Sequence, residues 1–96
     1  MKLISIFDYT GTFAENKDVA SNIRIQEITQ FLDNKEEVIL DFEKVDMATQ
    51  AFIHALISDI LRKFGNDALD YISFKSCNET IEKIINIVVE YMQEGL

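Results

Sequence analysis

The sequence predicts a small α/β domain, in which about four strands form a mixed sheet and three helices pack against it. The chain has 96 residues, of which 48% are hydrophobic, enough for one modest core and too apolar for a disordered chain. Short apolar runs alternate with longer stretches of helical period. Proline is absent and the connections are short, so residues 1–96 are predicted to form a single domain.

The first element is predicted to be a strand over residues 3–9, where β-branched and aromatic residues alternate with polar ones. Residues 10–12, with a central glycine, have the composition of a turn. One aromatic residue, Phe13, then either begins a second short strand or anchors a loop, and the sequence leaves both interpretations open.

A helix is expected next, capped by Asp18 or Ser21 and running to about Leu32. Its apolar positions are predicted to face the core: Ala20, Ile23, Ile28, Phe31 and Leu32. The charged residues 33–37 form a connection to the next strand.

The central stretch of the sequence predicts a buried strand, a polar loop and a long helix. Residues 38–42 form an almost continuous apolar run, typical of a central strand covered on both faces. Residues 43–50 lie beyond its carboxyl end, where open α/β sheets usually place binding surfaces. The helix from Ala51 to Phe64 has a wide apolar stripe made of Phe52, Ile53, Leu56, Ile57, Ile60, Leu61 and Phe64.

The last third of the chain predicts one more strand and one more helix. Gly65 ends the long helix, and residues 69–75 follow as a strand. The final helix is capped either by a box formed by Ser76 and Glu79 or by Asn78. Its apolar face comprises Ile81, Ile84, Ile85, Val88, Val89 and Met92, with Tyr91 at the edge. This Ile- and Val-rich face is also compatible with a homodimer.

The charge balance narrows the classes of partner. Seventeen acidic residues against nine basic ones give a net charge of −8, which disfavours binding to nucleic acid and to anionic membranes. A basic protein surface or a role as an acidic mimic of nucleic acid remains compatible with this charge. Cys77 is the single cysteine, which indicates a reducing compartment. Asp8 ends the first apolar run short of a signal peptide or membrane span, so a cytoplasmic location is expected.

Residues that could perform chemistry are few. His54 lies on the long helix beside apolar neighbours, and a buried, inert Cys77 is the commoner outcome for a lone thiol. Four carboxylates near the strand ends offer an alternative, a metal-dependent enzyme binding Mg²⁺ through Asp8, Asp41, Glu43 and Asp46. Phosphate-binding and hydrolase motifs are missing. We therefore expect no enzymatic activity, no bound metal and no cofactor.

Residues 38–56, VILDFEKVDMATQAFIHAL, resemble the core of the STAS-like family of unknown function, a bacterial group similar to the STAS domains of anti-sigma factor antagonists. The resemblance extends more weakly over residues 21–91. It implies a STAS-like fold and a small protein–protein interaction domain, often associated with histidine-kinase-like ATPases, with no established enzymatic activity.

The resemblance also bears on regulation. In antagonist STAS domains an Asp-Ser pair follows this strand, and the serine is phosphorylated by a partner kinase. Thr49 and Gln50 occupy those two positions, and Gln50 cannot accept a phosphate. Thr49 offers a neighbouring hydroxyl for phosphorylation, or it serves only as a helix cap. The arginine that the family tends to show in its first helix is replaced by Asn22, with Arg24 two residues further on.

The leading hypothesis is a cytoplasmic, non-enzymatic regulatory module that binds a protein partner, such as a kinase-like ATPase or an anti-sigma-type factor. The surface is predicted to lie on the loop before the long helix and on the first turns of that helix. Its contacts are assigned to Asp46, Met47, Thr49, Gln50 and Ile53. For Met47 the alternative is a place in the core.

Overall fold

A computed structural model describes residues 1–94. Within this range the strands number five: β1 (Lys2–Ser5), β2 (Phe13–Ala14), β3 (Val38–Asp41), β4 (Met47–Ala48) and β5 (Ile72–Lys75). The helices are α1 (Phe7–Thr10), α2 (Lys17–Ile23), α3 (Thr29–Asp33), α4 (Gln50–Phe64), α5 (Ala68–Tyr71) and α6 (Glu79–Glu94). A π-helical turn, Arg24–Ile28, joins α2 to α3, and a 3₁₀ turn, Gly65–Asp67, joins α4 to α5.

The strands form two small parallel sheets. In the larger sheet the order is β1-β3-β5, and in the smaller one β2 pairs with β4. The α/β class was predicted correctly, and so was the central place of β3. The single mixed sheet of about four strands is wrong, because β2 and β4 pair with each other and every pairing in the described range is parallel. The three predicted helices correspond to α2 to α3, α4 and α6, and two helices of one turn each, α1 and α5, were not expected.

The first predicted strand, residues 3–9, is wrong beyond Ser5. The backbone N–H groups of Tyr9 and Thr10 both donate to the carbonyl oxygen of Ile6, at 2.9 and 3.0 Å, and close a helical turn. The Thr10 hydroxyl donates to the same carbonyl at 3.2 Å. Local hydrogen bonds of this kind compete with a strand, so the chain leaves the sheet one turn earlier than its composition indicates.

The predicted strand over residues 69–75 begins later, at Ile72. Its first residues form α5 instead, and the N–H of Ile72 donates to the carbonyl oxygen of Ala68. Ala68 is buried in the core. The helical turn brings this small side chain inward, which a strand-based pattern does not anticipate.

The first long helix begins at Lys17 because Asn16 caps it. The Asn16 side chain accepts hydrogen bonds from the N–H groups of Asp18 and Val19, at 2.8 and 3.3 Å. Asp18 and Ser21, the predicted caps, therefore lie inside the helix. An Asn at the cap satisfies N–H groups that the helix itself leaves unpaired.

The core lies between the helices and one face of the larger sheet. Val38 and Leu40 on the central strand, and Phe42 directly after it, point into the core and are fully buried. The opposite face is more open, since Ile39 is only partly buried and Leu3 on β1 is 53% exposed. The prediction that the central strand is covered on both faces is therefore wrong for Ile39.

The two longest helices follow their predicted faces closely. Six of the stripe residues of α4 are buried: Phe52, Ile53, Leu56, Ile57, Ile60 and Leu61. Gly65 ends α4 with a φ of 68°, a value that glycine adopts without strain. At the start of α6 the N–H of Ile81 donates to the Asn78 side chain at 2.9 Å, so Asn78 is the cap. Tyr91 lies on the exposed side of α6.

Across residues 1–94, no helix is both sufficiently long and sufficiently apolar to cross a lipid bilayer.

Candidate functional site

The loop after the central strand is held by local hydrogen bonds. The Asp41 carboxylate accepts from the N–H of Glu43 at 3.0 Å, and the N–H of Val45 donates to the carbonyl oxygen of Phe42 at 3.0 Å. Lys44, between them, has a φ of 70°. Left-handed backbone at a residue other than glycine is uncommon and needs support from its surroundings. These two hydrogen bonds thus fix the backbone conformation of the loop where it leaves β3.

The next residues of the loop join the smaller sheet. The N–H of Asp46 donates to the carbonyl oxygen of Thr12 at 2.8 Å, and the N–H of Thr49 donates to that of Ala14 at 2.9 Å. Between these two bonds Ala14 lies opposite Ala48, and both are buried. The small alanine side chains let this sheet pack closely on the core.

The same register places Phe13 opposite Met47. Side chains alternate across a strand, so this pair points away from the buried alanines. Phe13 is 48% exposed and Met47 is 47% exposed. Together they form an apolar pair on the outer face of the sheet, the Phe13–Met47 patch. A place in the core for Met47 is thereby excluded, and Phe13 is resolved as part of a strand.

Thr49 and Gln50 mark the beginning of α4. The Thr49 hydroxyl accepts a hydrogen bond from the N–H of Phe52 at 3.0 Å, so the interpretation of Thr49 as a helix cap is confirmed. Gln50 is exposed in the first turn, and Asp46 is exposed in the preceding loop. These polar residues flank the Phe13–Met47 patch along the chain.

Ile53 does not belong to this surface. Its side chain is 0% exposed and lies in the hydrophobic core. The sequence pattern places Ile53 both in the apolar stripe and in the first turn of the helix, and packing decides in favour of the stripe. A contact between Ile53 and a partner is therefore incompatible with this structure.

A second element supports the loop from the other side. The Asn78 side chain donates from Nδ2 to the carbonyl oxygen of Asp46 at 2.7 Å, while its Oδ1 accepts from Ile81. One amide thus caps α6 and holds the loop that carries Met47. The sequence offered Asn78 as one of two possible caps but gave no sign of this contact, which joins residues 32 positions apart.

The four carboxylates proposed as a metal site do not come together. Among residues 1–94 no group of three or more potential ligands has a geometry suited to a metal ion. Asp41 instead accepts a hydrogen bond from its own loop. Asp8 lies on α1, because the first strand ends before it reaches that residue. In the part of the chain that the structure describes, Asp8, Asp41, Glu43 and Asp46 therefore do not form the predicted metal site.

Cys77 follows β5 and is partly buried. Burial, and then the charges of Glu82 and Asp41, raise the pKa of its thiol to about 11. A thiol with so high a pKa is a poor nucleophile near neutral pH, because the thiolate is the reactive form. The Cys77 thiol is therefore not activated as a nucleophile. His54 is half-buried on α4.

Arg24 reaches from the π-helical turn to α4. Its Nη1 donates to the carbonyl oxygen of Ala55 at 2.8 Å and lies 3.1 Å from Oδ2 of Asp59. Across the same turn, the Thr29 hydroxyl donates a hydrogen bond to the carbonyl oxygen of Arg24 at 2.9 Å. The π-helical turn adds a residue to the helix and shifts which side chains face α4, an effect that a regular helical period does not reveal.

Comparison with known families agrees with this architecture. A family model described as a STAS-like domain of unknown function matches residues 20–82, which run from α2 through the loop and α4 to the start of α6. No curated protein and no solved structure gives a significant match. The match covers well over half of the 96 residues and includes the loop with Met47 and Thr49. The chain therefore belongs to the family of STAS-like domains of unknown function.

Proposed function

We propose that this domain is a non-enzymatic regulatory module that binds a signalling protein through the Phe13–Met47 patch. The observation that supports the proposal is the register of the smaller sheet, which sets two large apolar side chains side by side and leaves each about half exposed. Asp46, Thr49 and Gln50 supply a polar border. Apolar centres with polar borders are the usual anatomy of protein interfaces.

The two central side chains have properties that suit a binding surface. Phenylalanine offers a large rigid area, and methionine adapts to irregular surfaces through its unbranched thioether chain. A partner that covers them would remove apolar surface from water. This burial stabilises a complex by about 25 cal/mol for each Å² of apolar surface. Aromatic residues and methionine are also enriched in interfaces relative to the rest of a protein surface.

The backbone beneath the patch is already ordered. Bonds from Asp46 to Thr12 and from Thr49 to Ala14 fix the smaller sheet, and Asn78 holds the loop from α6. A surface that is ordered before binding loses less conformational entropy when the partner arrives. This pre-organisation favours recognition by a defined partner.

The partner class follows from the family rather than from the geometry. The resemblance to antagonist STAS domains implies a histidine-kinase-like ATPase or an anti-sigma-type factor. Such a partner would meet the patch with an apolar surface of its own. The cytoplasm is the compartment in which these ATPases act, and it suits a chain with one free cysteine.

The proposal is tested by replacing Met47 with glutamate in purified protein and measuring binding to the kinase-like ATPases of the source organism by calorimetry. We expect at least a ~10-fold loss of affinity, because a carboxylate would have to be desolvated at the centre of the interface. Ile25→Glu is the matched control, since Ile25 is exposed on the π-helical turn.

Both variants should keep the thermal transition of the parent, because exposed substitutions rarely change stability by more than about 0.5 kcal/mol. Equal binding by the parent and by Met47→Glu would contradict the patch as the interface. Loss of binding in Ile25→Glu alone would place the interface at the π-helical turn instead. If none of these ATPases binds the parent, the kinase-like ATPase is wrong as the proposed partner.

We also propose that phosphorylation of Thr49 regulates this surface. A phosphate there would add about −1.5 to −2 charge at the N-terminus of α4, where the helix dipole favours an anion, and close to Asp46 and Met47. Incubation with ATP and the partner, followed by mass spectrometry, tests this idea. Thr49→Ser should retain the modification and Thr49→Ala should remove it, while a phosphate found elsewhere on the chain would contradict it.

A further inference from the structure

A groove with a volume of about 540 Å³ lies between β5 and α6. In the described residues β5 pairs only with β3, so this groove borders the free edge of the larger sheet. The residues that line it include the apolar Ile72, Phe74 and Ile85, the thiol of Cys77, and the polar Glu82 and Asn86.

The backbone at this edge is suited to binding another strand. The carbonyl oxygen of Lys75 accepts a hydrogen bond from the N–H of Phe42 at 2.9 Å. The backbone N–H and C=O groups of Lys75 therefore point toward β3. Successive residues of a strand direct their N–H and C=O groups to opposite edges. The N–H and C=O of Phe74 therefore point away from β3, as does the carbonyl of Ile72. Such an edge is a template for an added strand.

The side chains around this edge indicate the chemistry of the added strand. The floor beneath it is apolar, from Phe74 and Ile85, while Glu82 and Asn86 border it from one face of α6. A lysine or arginine side chain matches this pattern, because its methylene groups pack on the floor and its charge reaches the carboxylate. Burial raises the pKa of the Cys77 thiol most, and the charges of Glu82 and Asp41 raise it further, so part of the shift reflects negative charge near the end of the groove.

We infer that this groove binds an extended, basic segment of a partner polypeptide, which joins the larger sheet as a strand beside β5. A second copy of this chain fits poorly, because each copy carries a net charge of −8 and two grooves placed edge to edge would oppose their Glu82 carboxylates. The site lies on a different sheet from the Phe13–Met47 patch, so the inference goes beyond the proposed function.

The test uses the full chain and a fluorescein-labelled peptide of six residues that alternates lysine with valine. A peptide that alternates glutamate with valine is the acidic control. We expect the basic peptide to bind in fluorescence anisotropy, and the acidic one to bind at least ~10-fold more weakly, because like charges would oppose each other across the groove. The affinity for the basic peptide should fall as salt is added.

Two variants with the same change in charge locate the site. Glu82→Lys should lower the affinity for the basic peptide at least ~10-fold. Glu94→Lys, at the far end of the same helix, should leave that affinity within about twofold of the value for the parent. Equal effects of both variants would show that only the overall charge matters and would overturn the inference, as would a failure of the basic peptide to bind.

Amide hydrogen exchange tests whether the peptide adds as a strand. With bound peptide, exchange at the N–H of Phe74 should slow at least ~10-fold, because a new hydrogen bond must open before exchange occurs. Leu3, on the opposite edge strand β1, should be unaffected. Protection at Leu3 instead of Phe74 would overturn the inference. Protection of Phe74 that rises with protein concentration in the absence of peptide would overturn it in favour of a second copy.

Discussion

Asn78 donates a hydrogen bond to the carbonyl oxygen of Asp46, with 2.7 Å between its Nδ2 and that oxygen. The other side-chain atom of the same amide, Oδ1, accepts from the N–H of Ile81 at 2.9 Å and caps α6. One residue therefore connects the start of the last helix to the loop that carries Met47. The two functions use different atoms, so they can be separated by substitution.

Asn78→Asp is expected to keep the cap and lose the bond to the loop, since a carboxylate accepts hydrogen bonds but does not donate them. The free energy of unfolding should fall by about 0.5–1.5 kcal/mol for the lost bond. Asn78→Ala should cost about 1 kcal/mol more, because it also removes the cap. Urea unfolding followed by circular dichroism measures both values.

Asn78→Ser serves as the control for added charge, because serine also caps helices but carries no carboxylate near Asp46 and Glu79. Similar losses in the serine and aspartate variants would attribute the effect to the missing Nδ2 amide group of Asn78. If Asn78→Asp were as stable as the parent, the bond to Asp46 would contribute nothing measurable in solution.

Arg24 is expected to stabilise the domain mainly through the carbonyl oxygen of Ala55. Its side chain is only 16% exposed, and a buried bond from a charged donor contributes about 1.5–3 kcal/mol. Asp59, the ionic partner, is 52% exposed, and exposed ion pairs contribute about 0–1 kcal/mol. Arg24→Met should therefore lower the free energy of unfolding considerably more than Asp59→Asn in urea titrations. Asp59→Asn also removes the exposed ion pair between Asp59 and Arg62. Equal effects of the two variants would therefore show that the ion pairs of Asp59, and not the bond to Ala55, dominate.

The hydrophobic pattern allowed much of the fold to be predicted. The central strand, the long helix with its glycine stop, and the buried face of α6 all follow from local periodicity, which burial then enforces. Local patterns failed where short polar residues offered the backbone another bond, as at Thr10 and Asn16. Such bonds end one element or begin another without changing the apolar pattern around them.

The candidate site was predictable only in part. The position of the loop at the carboxyl end of β3 follows from general rules for parallel sheets, whereas the exposure of Met47 is set by the register of the smaller sheet. Phe13 was missed as a site residue because its neighbour in the sheet, Met47, lies 34 residues away, and a pairing over that distance leaves no local signal. Ile53 was assigned to the surface because it lies close to the loop in sequence, although its side chain points into the core.

Ile53 supplies a direct test of that correction. A fully buried isoleucine should lose about 0.5–1.5 kcal/mol of stability on replacement by valine and about 2–5 kcal/mol on replacement by alanine. The free energy of unfolding of a small domain is about 5–15 kcal/mol in total. Ile53→Val is therefore more suitable than Ile53→Ala for recording a full unfolding curve. Met47→Ala is the matched surface control and should change stability little. An Ile53→Ala variant as stable as the parent would indicate that the Ile53 side chain lies at the surface and not in the core.

The thiol of Cys77 predicts a dependence of stability on alkaline pH. Its pKa is raised from 9.0 to about 11 in the folded chain, first by burial and then by the charges of Glu82 and Asp41. The unfolded chain therefore releases the thiol proton at lower pH than the folded chain does. Between about pH 9 and 11 the folded state binds more protons, so the free energy of unfolding falls as the pH rises through this window.

Cys77→Ala should remove this part of the pH dependence while leaving a smaller one from Tyr9, whose pKa is also raised, first by its hydrogen bond to Glu27. Urea unfolding of both proteins at intervals across the window measures the difference. Alkylation by iodoacetamide gives an independent check, because only the thiolate reacts and its rate in the folded protein should rise up to about pH 11. A rate that levels off near pH 9 would mean that the thiol is solvated, and that neither burial nor Glu82 acts on it as the structure indicates.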